Sequence, residues 1–182
     1  LSAYARALHC DPTSSNAWHD MGVLSMTTSA SRRASDGFSW NTRALAALRA
    51  AIKLRPLGAD HWEAMGVALL DSSNDDEASI ERKNAASLFS LSRAGLLRIR
   101  GVAGEVISPS ALGATLTHIG VALLRRATPL PAAAHRAFAA AHVHASGDPD
   151  DAASVAVWAG RALSASALLL GAAEEQPSFN DA

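Results

Sequence analysis

The chain has 182 residues, 49% of them hydrophobic and only 5% aromatic, with 16 Lys and Arg against 17 Asp and Glu. That is enough apolar material for a core, but a net charge of −1 lacks the basic excess with which a domain holds a phosphate backbone, so direct nucleic-acid binding is not expected. Cys10 is the lone cysteine, which excludes an intramolecular disulfide and a multi-cysteine zinc site and makes a reducing compartment the default. The 41 alanines favour helix, and Val, Ile, Thr and Tyr are too sparse for many strands, so the expected fold class is all-α with closely packed helices.

Taken in order, the first element is Leu1-Ser-Ala-Tyr-Ala-Arg-Ala-Leu8, already apolar-periodic with no cap or leader ahead of it, which reads as a piece cut from a longer protein. Helices follow near 15–28, 39–54, 59–70, 82–99, 109–126, 131–145 and 151–172, after the first near 1–10. Loops are expected by composition at Ser31-Arg32-Arg33-Ala34-Ser35-Asp36-Gly37, across acidic 71–81, over 101–109 and at Gly147-Asp148-Pro149. A frayed end is expected after Gly171. The apolar run over 162–173 is interrupted by Ser164 and Ser166 and falls short of the ~18 residues a membrane helix needs.

An internal repeat runs through these helices. Tyr4-x-x-Ala7-Leu8 with Pro12, then Trp18-x-x-Met21-Gly22-Val23, returns 44 residues later as Leu48-x-x-Ala51-Ile52 with Pro56, then Trp62-x-x-Met65-Gly66-Val67. Weaker echoes are Leu116-x-x-Ile119-Gly120-Val121 and Ala156-x-x-Ala159-Gly160-Arg161. Trp18, Met21, Gly22 and Ser25 share one helix face by their spacing of three and four. Glycine in mid-helix costs roughly 1 kcal/mol against alanine, so Gly22 implies a close approach there, and Ala44, Leu48 and Ala51 on the next helix are spaced to supply it. Pro56 ends that helix.

This pattern resembles the tetratricopeptide repeat (TPR) family, with Trp18/Met21/Gly22, Ala44/Leu48/Ala51/Pro56 and the leading Tyr4/Ala7/Pro12 in the matching places. The resemblance implies a right-handed α-solenoid: a half-repeat at 1–12, repeats near 13–56, 57–108, 109–149 and 150–173, and a tail over 174–182, in one segment. Three departures stand out. The period exceeds the usual 34 residues or so, and the extra ten are expected between helices at 27–40 and 71–83. Ser25 and Leu69 replace the aromatic after the glycine, and the third and fourth copies lack the leading tryptophan.

Over roughly 44–165 a narrower resemblance is to the TPR scaffold of the Ski (superkiller) complex. It rests on His61-Trp62-Glu63-Ala64-Met65-Gly66-Val67, Ala86-Ser87-Leu88-Phe89-Ser90-Leu91-Ser92-Arg93-Ala94, Thr117-His118-Ile119-Gly120-Val121 and Ala134-His135-Arg136-Ala137-Phe138. Asp148-Pro149 and Trp158-Ala159-Gly160-Arg161-Ala162-Leu163 continue it. The resemblance implies a non-enzymatic scaffold, in the cytoplasm or the nucleus, holding an RNA helicase and WD-repeat propellers for 3′–5′ messenger RNA decay with the exosome. Two other readings stay open: a stand-alone TPR adaptor for a partner peptide or helix, and the TPR region of a larger enzyme.

No nucleophile–base pair, metal cluster or phosphate loop is legible, so no catalytic residue, metal or cofactor is expected. His135, His142 and His144 do not share ligand spacing, and Gly101-Val-Ala-Gly104 lacks the Lys-Ser/Thr of a phosphate loop. Arg32-Arg33-Ala34-Ser35 has basophilic-kinase spacing and is expected to be a solvated loop, and Cys10 to be a small buried or half-buried residue. The inner face of first helices would carry Val23/Met26, Val67/Leu70 and Val121/Leu124, an apolar stripe. His19, Glu63 and Thr117 stand where a chaperone-tail clamp would need Lys, Asn and Arg. The stripe serves either as a partner groove or as packing within the solenoid.

Overall fold

The computed structural model describes residues 2–31, 37–70, 77–101, 108–126, 129–144 and 160–161. Among them the chain is all-helical: α1 (Ser2–Cys10), α2 (Ser15–Ser31), α3 (Gly37–Leu54), α4 (Ala59–Leu70), α5 (Glu77–Arg100), α6 (Pro109–Leu124) and α7 (Pro131–His144). Two compact units divide at Leu1–Ile107 and Ser108–Ala182. The expected helix over 151–172 lies outside the described residues, apart from helical Gly160 and Arg161.

Local chemistry sets the helix ends. Asp11 closes the turn after α1 by accepting from the Thr13 amide at 3.0 Å and the Thr13 hydroxyl at 2.6 Å. Those two bonds hold its carboxyl below the ordinary carboxylate value. Ser14 then caps α2, its Oγ accepting from the Ala17 amide at 3.3 Å. Ser108 plays the same part for α6, with Pro109 at the first helical position, where a missing N–H costs nothing. Gly101, at φ 59°, closes α5 in the left-handed conformation that suits glycine.

Two loop expectations are corrected. The loops expected over 27–40 and 71–83 are narrower than that, because α2 runs on to Ser31, α3 begins at Gly37 and α5 begins at Glu77, while 32–36 and 71–76 lie outside the described residues. Hydroxyl side chains are accommodated inside α2: Ser25 Oγ donates to the Met21 carbonyl at 2.7 Å and Thr27 Oγ1 to the Leu24 carbonyl at 3.0 Å. At the start of α5, Glu81, Arg82 and Lys83 are good helix formers with no glycine or proline to stop them.

In the first unit α2 packs on α3 and α4 on α5, with α3 against α4 and α1 against α2. In the second, α6 packs on α7. Pairing α4 with α5 is antiparallel: Asp60 and Glu63 near the start of α4 meet Arg98 near the end of α5, and Gly66 meets Ser87 and Leu91. Pairing α6 with α7 is antiparallel too, since Gly113 lies by Ala141 and His144 while Gly120 lies by Phe138.

Each pair is keyed at a glycine. A Cβ on Gly22 would stand 2.7 Å from Leu48 Cγ, and one on Gly66 2.6 Å from Leu91 Cγ. One on Gly120 would stand 2.6 Å from Phe138 Cζ, and Gly160 approaches the same ring. Leu48, Leu91 and Phe138 are wholly buried, so each is a knob that fits only because the facing residue has no side chain. Around Leu48 the core continues through Ala64, Met65 and Ala68 of α4.

Candidate functional site

The apolar stripe expected to line a groove divides. Val23 and Met26 on α2 are half-buried and pack against the cluster of Leu48, Ala64, Met65 and Ala68, so they belong to the joint between neighbouring helix pairs. Val67 and Leu70 on α4 are half-buried. Val121 and Leu124 on α6 are half-buried as well, but they stand in the second unit. Four of the six residues therefore lie in the first unit and two in the second.

The signature residues have structural work. Trp18 Nε1–H donates to the Pro12 carbonyl at 2.9 Å, and Trp62 Nε1–H to the Pro56 carbonyl at 2.8 Å. Each indole ties the turn before its helix to the first turn of that helix, the same bond at the same offset of 44 residues. Gly22, Gly66, Gly120 and Gly160 approach Leu48, Leu91 and Phe138 as described. Trp158 and the Arg32-Arg33-Ala34-Ser35 motif lie outside the described residues. Cys10 is exposed, against the expectation that it is buried or half-buried: it stands at the end of α1, which packs against α2.

Two polar groups at the α4 end of the first unit carry the strongest local electrostatics. Arg98 on α5 is largely enclosed and forks to Asp60 Oδ1 at 2.6 Å and to Glu63 Oε2 on α4. Burial works against its charge, but the hydrogen bond and charge of Glu63, then those of Asp60, outweigh it and raise the guanidinium above its ordinary value. His61 is 3% exposed, with its Nδ1 3.4 Å from the Arg55 carbonyl and its ring centroid 5.2 Å from that of His19 on α2. Burial pushes its pKa below the ordinary value, the His19 and Arg55 charges push the same way, and the Arg55 carbonyl and Asp60 only partly offset them. Gly58 makes room for the ring, since a Cβ there would stand 2.5 Å from its Nδ1.

Sequence reasoning missed Arg98, His61 and the knobs Leu91 and Phe138. For Leu91 a signal existed: Ala44, Leu48 and Ala51 return as Ser87, Leu91 and Ala94 with an offset of 43. Among the described residues no three His, Cys, Asp or Glu side chains converge as a metal site would need, and no helix is long and apolar enough to cross a membrane. No family model and no curated protein matches the sequence.

Proposed function

We propose that the chain is a TPR-like α-solenoid segment that acts without catalysis, as a scaffold holding other proteins. The observation that carries this reading is the recurrence of one joint. Tryptophan tied to a proline carbonyl and, one turn on, a glycine keyed by a buried leucine occur in α2/α3 and again in α4/α5. Helix pairs built to one plan stack on their neighbours and expose long faces, which suits them to binding proteins. The resemblance over 44–165 favours a Ski-like scaffold in the cytoplasm, with an RNA helicase and WD-repeat proteins as partners in 3′–5′ messenger RNA decay.

The test is affinity purification of the full-length protein at gentle salt with identification of what co-purifies. An RNA helicase together with WD-repeat proteins is the expected result. Chaperones or scattered clients in their place would overturn the Ski-like reading and favour a stand-alone adaptor.

A further inference from the structure

The outward face of α5 combines large apolar side chains with arginines. Phe89 is 64% exposed, Leu96 50% and Ile99 61%. At 3.6 residues per turn, Arg82, Arg93 and Arg100 fall within about 40° of Phe89 on the same face. The opposite face, with Ser87, Leu91 and Ala94, is the one buried in the core. Ile99 and, near the other end of the helix, the half-buried Glu81, the one carboxylate among the described side chains of α5, both lie about 80° to the same side of Phe89.

The packing of α3 shows which positions of the repeat stay outside a joint between helices of the first unit. Leu48 and Leu91 are equivalent knobs, so Phe89, Leu96 and Ile99 correspond to Ala46, Lys53 and Pro56. Those three are exposed although α4 is packed against α3. The residues that α3 turns toward α4 are others, Leu45 and Ile52. Where one copy of the repeat carries alanine and lysine outside, the other carries phenylalanine and leucine. Large apolar side chains exposed together and rimmed by polar residues mark an interaction site.

We infer that this face of α5 docks an acidic amphipathic helix of a partner protein, its apolar stripe on Phe89, Leu96 and Ile99 and its carboxylates on Arg93 and Arg100. Charge complementarity selects the occupant, since arginine forks pair with carboxylates and like charges across an interface are costly. A second copy of the chain would set arginine against arginine. A nucleic acid would gain little from two aliphatic side chains that cannot stack on bases, and the chain has no basic excess. The inference depends on the scaffold reading only in expecting a protein partner.

The experiment uses the full chain and two fluorescent helical peptides with the same leucine stripe, one flanked by glutamates and one by lysines, followed by anisotropy. The glutamate peptide is expected to bind, more weakly as salt rises, and the lysine peptide not to bind. Leu96→Asp should weaken binding roughly tenfold or more and Arg100→Glu several-fold, with circular dichroism unchanged because both side chains are exposed. Equal binding of the two peptides, no binding of either, or indifference to Leu96→Asp would overturn the inference. So would tighter binding of single-stranded RNA or anionic vesicles through the same residues, or self-association that Leu96→Asp abolishes. None of these results bears on which proteins co-purify with the full-length protein, so the two proposals fail separately.

Discussion

The α2/α3 and α4/α5 pairs are two copies of one plan, and they differ in what surrounds the shared knob. Around Leu48 the buried positions of α3 are all alanine: Ala44, Ala47 and Ala51. Around Leu91 the matching positions of α5 are Ser87, Ser90 and Ala94, also buried. Two methyl-sized side chains have become hydroxyls of nearly the same volume, and each hydroxyl finds an acceptor. Ser87 Oγ donates across the pair to the Gly66 carbonyl at 2.8 Å, and Ser90 Oγ donates to the Ala86 carbonyl of its own helix at 2.9 Å. The contact therefore constrains volume strictly and polarity loosely, provided every buried polar atom is paired.

Breaking the keyed contact should have the largest effect and should hit both copies alike. Gly22→Leu and Gly66→Leu each place a branched side chain where even a Cβ would be under 3 Å from the facing leucine. Each is expected to cost at least about 3 kcal/mol and to abolish cooperative melting of the first unit in thermal circular dichroism. Leu48→Ala and Leu91→Ala come next, at about 2 to 5 kcal/mol by urea titration, because the emptied site is walled by helix backbone that cannot collapse fully. A large loss in one copy with none in the other would show that the two contacts are not equivalent. By contrast, Ser87→Ala restores what Ala44 already is in the sister copy, and its cost should stay within about 1 kcal/mol.

The difference between local signals and tertiary ones decides what was legible in the sequence. Glycine notches could be read because a mid-helix glycine flanked by apolar residues at three and four positions is costly unless another helix approaches closely there, and the expected partners Ala44 and Leu48 are the ones Gly22 meets. Helix starts at 15, 59, 109 and 131 could be read because serine caps and proline positions are local signals. The far end of α2 and the start of α5 could not. Serine, threonine and aspartate lower helix propensity, but tertiary packing and hydroxyl-to-carbonyl bonds along α2 override a preference worth tenths of a kcal/mol. The knob on α5 was obscured because its offset is 43 and the rest of the repeat keeps 44, so a strict period passes over Leu91. Nor does anything local announce that Val23 and Met26 turn into the joint with α4, since half-burial of an apolar stripe is a property of the neighbour.

A second difference between the copies predicts where acid acts. His61 stands 44 residues after Ala17, so the first copy has no imidazole at that place. Its folded pKa lies below the ordinary 6.5, so on the acid side of that value the unfolded chain binds the extra proton first. The stability it contributes is complete above pH 6.5 and falls away as pH drops toward the folded pKa. The groups facing it are His19 from α2, the Arg55 carbonyl and side chain, and Asp60. Melting temperature measured from about pH 7.5 to about pH 5 should therefore slope downward, and His61→Gln should flatten that slope. An unchanged slope would place the acid sensitivity elsewhere.

The smallest expected effect tests the tryptophan tie. Trp18→Phe and Trp62→Phe keep an aromatic ring and delete one indole N–H bond to a proline carbonyl, a loss of about 1 kcal/mol each by the worth of a partly exposed hydrogen bond. The copies should still separate slightly, because Trp62 also meets Phe89 edge-on with ring centroids 6.0 Å apart, whereas the position equivalent to Phe89 in the first copy is Ala46. Pairing Trp62→Phe with Phe89→Ala in a double-mutant cycle isolates that contact, whose expected coupling is about 0.5 to 1.5 kcal/mol. A coupling of zero would mean that Phe89 owes nothing to Trp62 and projects from α5 solely as surface, which would leave its exposed ring to be accounted for by a partner alone.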